Sequence, residues 1–346
     1  MVSSFSFAEN MVYLNCEVME MRRRTVLGLM GMMLLAGCGA KKAVVPDYVL
    51  TYAENQPEGY PTTQGAQYFA RLVETRTGGK VVVQVQYGGE YGTEEEVWQQ
   101  LQMGGVDFAR LSLAELTEDL PKLNVLQLPY LYQDADHMWR VLDGSIGEEF
   151  LQVFSRHNLV GLSWYDAGAR SFYGRSPIRT LEDLKGRTVR VQDSQIVIDM
   201  MKLLGAEPVT FAYSDVYAAF ETGQIDAAEN NWPSYYAMNH YKVARYYTLD
   251  EHSRVPEIQL ASGRTWKKLP EEYRQVIRAC ARESALYERE LWTEEERTAR
   301  EAVLAAGCQE ITLSDEEMER FRALVEPLYE QYGGSYLELV RRIQQE

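Results

Sequence analysis

Two stretches of the chain decide the fold: residues 185–192, KGRTVRVQ, and residues 223–233, GQIDAAENNWP. Each reads as a short apolar strand that follows a glycine-containing turn. Apolar residues at helical spacing between them, closed by glycines at 205 and 223, predict a strand–helix–strand–helix–strand unit. Ligands of open α/β sheets bind beyond the carboxyl ends of the strands. The arginine and asparagine side chains of these stretches are therefore candidates for a binding site.

The same alternation of strands and helices continues toward the amino terminus. Residues 104–110, GGVDFAR, and residues 223–229, GQIDAAE, share the order glycine, apolar residue, aspartate and alanine. This weak repeat fits two lobes of like α/β topology. The predicted elements of the first unit are strands at 48–53, 80–87 and 106–111 and helices at about 62–76 and 93–103.

The carboxyl-terminal third is predicted to be helical. Apolar residues at helical spacing run from about residue 270 to 306, and again from about 315 to 345. A helix of about 30 residues is about 45 Å long, which is enough to lie across both lobes. We therefore predict an α/β, two-lobed fold with a long spanning helix. Lobe I would comprise residues 47–167 and 256–295, and lobe II residues 168–255 and 296–346.

The amino-terminal segment is typical of an export signal. Three arginines at 22–24 precede an apolar run at 26–36, and LAGC at residues 35–38 resembles a bacterial lipobox. We predict a leader at residues 1–37, lipid attachment to Cys38 and a tether at residues 38–46. The alternative is an ordinary signal peptide with an incidental cysteine. Met19 and Met21 are alternative initiators.

The composition and motifs exclude several classes of function. The net charge of the 346 residues is −16, so no nucleic-acid partner is expected. The four histidines lie in no metal-ligand motif, and the chain contains no P-loop, G-x-G-x-x-G or G-x-S-x-G sequence. We therefore expect no metal, no cofactor and no catalytic residues. Cys280 and Cys308 either pair or remain single buried residues.

Arg190 is the first candidate for contact with an anionic ligand. Side chains alternate along a strand, so Arg190 shares one face of its strand with Gln192. A buried arginine there contacts a ligand or a carboxylate of the protein. The carboxylates available nearby are those of Asp183 and Asp193.

Two further arginines are candidates for the same site. Arg170 follows Gly168 and Ala169 at a predicted crossing between the lobes, and its alternative is a solvated surface position. Arg110 ends a predicted strand of the first unit. It would reach the site from the opposite wall.

A pair of amides, Asn230 and Asn231, follows directly on a predicted strand. Neighbouring amides either form a turn or offer donors and acceptors to a ligand. Tyr213 and Trp232 are candidates for aromatic walls, although aromatic residues at such spacing also occur in cores. A guanidinium fork combined with amides suits a small carboxylate that carries hydroxyls. The residues thus predict a binding protein for an acidic metabolite.

Several segments, in order and at matching spacing, resemble one family. From about residue 50 to 335 the chain resembles the solute-binding proteins of tripartite ATP-independent periplasmic (TRAP) transporters. The matching segments are LKGRTVRV at residues 184–191, LGAEPV at 204–209, DVYAAFETG at 215–223 and DAAEN at 226–230.

The resemblance implies a periplasmic-binding-protein-like fold that closes on an organic acid. Arg190 matches the arginine that binds the ligand carboxylate in a bidentate manner, Arg170 matches an assisting arginine, and Asn230 matches the asparagine of the Glu-Asn motif. The implied partners are the membrane subunits of a TRAP permease. The implied location is extracytoplasmic, in the periplasm or on the outer face of the cytoplasmic membrane, held there by the lipid anchor.

The resemblance also implies a ligand class. The Asn-Asn-Trp-Pro variant and the PEGYPT loop at residues 57–62, which contributes Glu58 and Tyr60, resemble members that bind hexuronates. We therefore expect a sugar acid such as glucuronate or galacturonate. The alternatives are another organic acid (a dicarboxylate, keto acid or aldonate), an exported uronate-active enzyme such as a lyase, and a sensor that binds the same ligand.

Overall fold

The computed structural model of the protein describes residues 44–117 and 119–346. The predicted leader, the lipid attachment to Cys38 and residues 39–43 of the tether lie outside these ranges. Within them, no helix is both long enough and apolar enough to cross a membrane.

Strands and helices alternate along the described residues. The strands are β1 (Tyr48–Ala53), β2 (Val81–Gln86), β3 (Phe108–Ser112), β4 (Leu159–Tyr165), β5 (Ala169–Gly174), β6 (Thr188–Val191), β7 (Glu207–Thr210), β8 (Ala227–Asn230), β9 (Tyr246–Arg254), β10 (Glu257–Ser262) and β11 (Gln309–Thr312). The helices are α1 (Pro61–Arg76), α2 (Glu94–Met103), α3 (Ala135–Asp143), α4 (Ser145–Leu151), α5 (Gln195–Leu203), α6 (Val216–Glu221), α7 (Trp232–Ala237), α8 (Gly263–Lys268), α9 (Glu271–Ala305), α10 (Asp315–Val325), α11 (Pro327–Gly333) and α12 (Leu337–Gln344).

The described strands form two sheets. The first has the order β2-β1-β3-β10-β4, and the second has the order β11-β9-β5-β8-β6-β7. In each sheet the predicted β-α-β-α-β unit is parallel: β1 pairs with β2 and β3, and β6 pairs with β7 and β8. The two-lobed α/β fold class is thereby confirmed, whereas the exact boundaries of the lobes remain a prediction.

Antiparallel strands complete both sheets. β10 lies between β3 and β4, and β5 lies between β8 and β9, each antiparallel to both neighbours. The chain passes from the first sheet to the second between β4 and β5, and returns between β9 and β10. These connections bring Arg170 and Glu257, near the starts of β5 and β10, close to the passages between the sheets.

The weak sequence repeat has a structural cause. Asp107 and Asp226 each occupy the aspartate position of the repeat, just before β3 and β8. The Oδ2 atom of Asp107 accepts a hydrogen bond from the backbone N–H of Thr51 at 2.8 Å, and that of Asp226 accepts one from Thr188 at 3.0 Å. Each carboxylate therefore bonds the backbone of the neighbouring parallel strand.

The long helix α9 contacts elements of both sheets. Its 35 residues extend about 52 Å. It packs on α1 and β4 beside the first sheet and on α7, which follows β8 of the second. Gly65 of α1 permits this close approach, since a Cβ atom there would lie 2.9 Å from the Cβ of Glu288. The predicted spanning helix is thus present.

The two cysteines of the described body do not pair. Cys280 belongs to a core cluster beside the first sheet, and Cys308 belongs to a cluster with Tyr235 and Tyr247. Both are free, buried thiols. They therefore pack as small apolar side chains.

Candidate functional site

A cavity of about 600 Å³, here called the site cavity, lies where strand ends of both sheets meet. Such a volume is typical of a site for a small organic molecule. Eight of the predicted site residues line it: Arg190, Arg170, Arg110, Asn230, Asn231, Gln192, Tyr213 and Tyr60.

Two predicted site residues, Trp232 and Glu58, are not among the residues that line this cavity. Trp232 begins α7 and stacks on Tyr247 with ring centroids 3.6 Å apart, inside a core cluster. Glu58 is exposed in the loop before α1. The prediction that these two side chains contact a ligand is not supported by their positions.

Arg190 of β6 is buried, with 3% of its surface exposed. Its Nε and Nη2 atoms donate to the backbone carbonyl of Phe211, at 3.0 and 2.7 Å. Asp183, one of the carboxylates considered as a salt-bridge partner, instead accepts from the backbone N–H groups of Arg179 and Thr180. Asp193, the other carboxylate considered, lines the site cavity with Arg190. The carbonyl contact orients the guanidinium at this cavity.

Arg170 of β5 lies beside the end of β8. Its guanidinium forms an ion pair with Glu229, and its Nη2 atom also donates to the Glu229 carbonyl at 3.0 Å. Its Nη1 atom donates to Oδ1 of Asn230 at 3.1 Å. The arginine and the asparagine thus form one hydrogen-bonded group on the wall of the second sheet.

A buried network of charged side chains lies next to Arg170. Nδ1 of His252 lies 2.7 Å from Oδ2 of Asp250, and its Nε2 lies 3.4 Å from Oε2 of Glu229. Burial opposes charge on His252, but the two carboxylates raise its pKa to about 9. Burial likewise opposes charge on Glu229, but Arg170 and His252 lower its pKa to about 2. Both groups are therefore charged at neutral pH, and they hold Arg170 in place.

The opposite wall, from the first sheet, carries carboxylates. Arg110 of β3 is buried and donates to Glu54, to Glu94 at 2.8 Å and to Glu257 at 2.6 Å. It also bonds Oδ1 of Asn55. Burial raises the pKa of Glu257 despite the nearby arginine. Arg110 thus lies on the opposite wall, as predicted, and three glutamates surround it there.

Asn231 has a structural role at this site. It is the N-cap of α7, where its Oδ1 accepts from the backbone N–H of Ser234 at 2.8 Å. Its Nδ2 atom donates to the carbonyl of Ala167 at 2.9 Å. Of the two amides, Asn231 therefore fixes the turn, while Asn230 joins Arg170 at the cavity.

Three aromatic side chains close the cavity. The hydroxyl of Tyr60 lies 3.0 Å from that of Ser234, and its ring packs edge-on against Trp292 of α9 with centroids 5.8 Å apart. Tyr213 also lines the cavity, and burial raises its pKa to about 12. These hydroxyls remain neutral hydrogen-bonding groups at neutral pH.

Sequence reasoning missed several lining residues, chiefly Glu94, Glu257, Ser234 and Trp292. A signal existed for Glu94. Thr93 and Glu96 form a capping box at the start of α2, which places Glu94 in the first turn of the helix, ahead of the exposed Glu95 and Glu96. Trp292 gave no signal, because a tryptophan in a long amphipathic helix usually packs in a core.

Comparisons with known proteins identify the family and support the fold. The model of the bacterial extracellular solute-binding protein family 7, DctP, matches residues 52–334. A TRAP solute-binding protein from Xanthobacter autotrophicus, solved with β-D-galacturonate, is 40% identical, with a TM-score of 0.83 over 86% of this chain and 99% of that one.

Two further relatives differ in the ligands named for them. A TRAP solute-binding protein from Pseudomonas putida, solved with D-glucuronate, is 37% identical, with a TM-score of 0.83 over 85% of this chain and 96% of that one. A Bacillus subtilis protein named C4-dicarboxylate-binding protein is 27% identical over 88% of this chain and 87% of its own length. The chain belongs to the DctP family of extracellular solute-binding proteins, the receptors of TRAP transporters.

Proposed function

We propose that the protein binds a hexuronate, such as D-glucuronate or D-galacturonate, and delivers it to a TRAP permease. The observation that carries the proposal is the unequal distribution of arginines and carboxylates over the two walls of the site cavity. Arg170 and Arg190 line one wall, and Glu94 and Glu257 line the other around Arg110. A uronate has the matching polarity, with a carboxylate at one end and hydroxyls along the rest of the molecule.

The arginine wall suits the ligand carboxylate. A guanidinium donates two parallel hydrogen bonds to a carboxylate, and such charge-assisted bonds are roughly twice as strong as neutral ones. Arg190 would form this clamp, with Arg170 as the second cation and the Nδ2 group of Asn230 as a further donor. Closure of the lobes around the ligand would exclude water and strengthen these bonds.

The carboxylate wall selects against a second acid group. The carboxyl oxygens of Glu94 and Glu257 accept hydrogen bonds, so both side chains suit sugar hydroxyls. The far carboxylate of a dicarboxylate would instead meet like charges, and such juxtaposition costs affinity. This contrast favours a sugar acid over the dicarboxylate named for the Bacillus relative. The uronates bound to the Xanthobacter and Pseudomonas proteins support the same choice.

A ligand screen tests the proposal. Melting temperatures of the purified protein would be measured with D-glucuronate, D-galacturonate, D-gluconate, pyruvate and succinate. A ligand at 100 times its Kd stabilises the folded state by about 2.7 kcal/mol, so the uronates should give the largest increases. A larger increase with succinate or pyruvate would contradict the proposed ligand class. Conversion of a uronate to new products, followed by NMR, would favour the enzyme alternative.

We also propose that the mature protein is anchored through Cys38, on the sequence of residues 35–38. Membrane fractionation of cells that express the wild type and Cys38→Ala tests the anchor. The wild type should sediment with membranes, and the variant should be released on lysis. Equal distribution of both would contradict the anchor and leave the ligand proposal unaffected.

A further inference from the structure

A second cavity, of about 620 Å³, lies apart from the site cavity and shares no lining residue with it. It is bounded by the second half of β9, by α10 and α11, and by residues 129–133. Its volume falls in the range of small-molecule sites. Much of its wall is aromatic or apolar, from Tyr130, Tyr132, Tyr329, Leu249, Met318 and Val325.

The charges of this wall leave two acidic groups unneutralised. Four charged wall residues have partners: Arg254 and Glu251 pair with each other at 3.0 Å, Arg322 pairs with Glu319 at 2.9 Å, and Asp250 pairs with His252 at 2.7 Å. Asp315 and Glu326 are exposed wall residues, and neither forms an ion pair with the described residues. The uncompensated charge of the cavity is therefore negative.

Two features set the aromatic side of this cavity apart from an ordinary surface cleft. The hydroxyls of Tyr130 and Tyr132 are buried and have no hydrogen-bond partner among the described residues. Tyr130 and Glu251 have backbone φ angles of 57° and 41°, in the region that favours glycine. The other non-glycine residues with positive φ in the described chain are asparagines, which tolerate it. Strained non-glycine residues are concentrated at functional sites.

We propose that the second cavity binds an amphipathic organic cation. Asp315 and Glu326 lie at opposite ends of α10, so the ammonium or guanidinium group would meet one of these two carboxylates. The aromatic or apolar body of the cation would pack among the tyrosines. Tyrosine rings attract cations as well as apolar surface, and Arg322 already lies over the ring of Tyr130 at 5.5 Å. The overall charge of −16 also favours a cation.

The probe is 2-phenylethylamine, which is protonated at pH 7. Its binding to the purified protein would be measured by ligand-detected NMR titration, beside the neutral analogue 2-phenylethanol and the anion phenylacetate. The amine should bind at least tenfold more tightly than either analogue. Equal binding of the neutral analogue, or absence of amine binding, would overturn the proposal.

Charge-neutralising variants locate the amine. The double variant Asp315→Asn/Glu326→Gln changes the cavity. Glu316→Gln/Glu330→Gln removes the same charge from exposed positions of α10 and α11 that do not line it. Amine affinity should fall at least fivefold in the first variant and less than twofold in the second. Equal losses would mean non-specific attraction to an acidic protein, which overturns the proposal.

A last pair of measurements separates the two cavities. Arg190→Ala and saturating D-glucuronate each act at the site cavity, which shares no lining residue with the second cavity. The amine should bind the Arg190→Ala variant as tightly as the wild type, and D-glucuronate should not displace it. Displacement by glucuronate would place the amine in the site cavity and overturn the inference. An absence of glucuronate binding would count against the proposed function alone.

Discussion

The two walls of the site cavity both contain buried arginines, yet they present opposite charges. On the wall of the second sheet, Arg190 is oriented by a neutral carbonyl, and Arg170 shares a single carboxylate, Glu229, with His252. On the wall of the first sheet, Arg110 is surrounded by Glu54, Glu94 and Glu257. The comparison teaches that buried arginines can have very different neighbours: Arg170 of the second-sheet wall pairs with one glutamate, whereas Arg110 of the first-sheet wall is surrounded by three.

Replacement of Arg110 should have the largest effect, and it should fall on stability. Arg110→Met would leave three buried carboxylates without their counter-ion, and removal of one partner of a buried ion pair costs about 3–5 kcal/mol. Urea unfolding would measure the loss. Arg156→Met, at an exposed position, is the matched control and should change stability little. A stable Arg110→Met protein that had lost only ligand binding would contradict the contrast between the walls.

Replacement of Arg190 should instead weaken ligand binding. Arg190→Ala would leave the bound carboxylate without its partner, and truncation of a buried charge pair costs about 2–5 kcal/mol of affinity. Calorimetric titration with D-glucuronate would measure it. Arg179→Ala removes the same charge from an exposed position near β6 and is the control. Unchanged affinity in Arg190→Ala would remove this residue from the site.

The buried charged network next to Arg170 predicts a pH dependence of stability. Asp250 and Glu229 raise the pKa of His252 to about 9, whereas an unfolded histidine has a pKa near about 6.5. The stabilisation is therefore complete below the unfolded pKa and is lost as the pH rises through about 9. Between pH about 6.5 and about 9, the free energy of unfolding of the wild type should fall by about 1–3 kcal/mol more than that of His252→Gln. Urea unfolding of both proteins across this range tests it.

Glu229 shows the reverse sign. Arg170 and His252 lower its pKa to about 2, so its contribution is present above the pKa of an unfolded glutamate and is lost as the pH falls toward 2. Together the two groups stabilise this wall most between the pKa of an unfolded glutamate and the pKa of an unfolded histidine. Glu229→Gln should therefore be less sensitive to acid than the wild type, although less stable at neutral pH.

The smallest expected effect concerns selectivity. Glu257→Gln keeps an acceptor for Arg110 but removes one negative charge from the first-sheet wall. A hydrogen bond to a charged group contributes roughly 1 kcal/mol more than one to a neutral group. The preference for glucuronate over succinate should therefore fall by about five- to tenfold. Glu58→Gln, outside the cavity lining, is the control, and an equal change in both variants would contradict the assignment.

The sequence predicted one wall far better than the other. Arg190 and Asn230 lie in β6 and β8, within the β-α-β-α-β unit, so local patterning was enough to place them at strand ends. The first-sheet wall depends on contacts between residues distant in sequence. Arg110 meets Glu54 and Glu257 across 56 and 147 positions, and no local pattern indicates such pairings. The antiparallel insertion of β10, which brings Glu257 to the site, was missed for the same reason.

The error at Trp232 has a local cause. Asn231 caps α7, so Trp232 becomes the first residue of the helix and its ring turns onto Tyr247 in the core. An extended chain at this point would have allowed the ring to face the ligand. Trp292, from the distant helix α9, lines the cavity instead.

The central claim is that the cavity has one cationic wall and one anionic wall. D-Glucuronate and D-glucarate test it most directly, because glucuronate has one carboxylate and glucarate has a carboxylate at both ends. Calorimetric titration of the wild type with both ligands at pH 7 should show glucuronate binding at least tenfold more tightly. D-Gluconate, which is open-chain like glucarate but has a single carboxylate, is the control for the ring of glucuronate and should also bind more tightly than glucarate. Equal or tighter binding of glucarate would contradict the account, because the first-sheet wall would then accept the negative charge that it is proposed to reject.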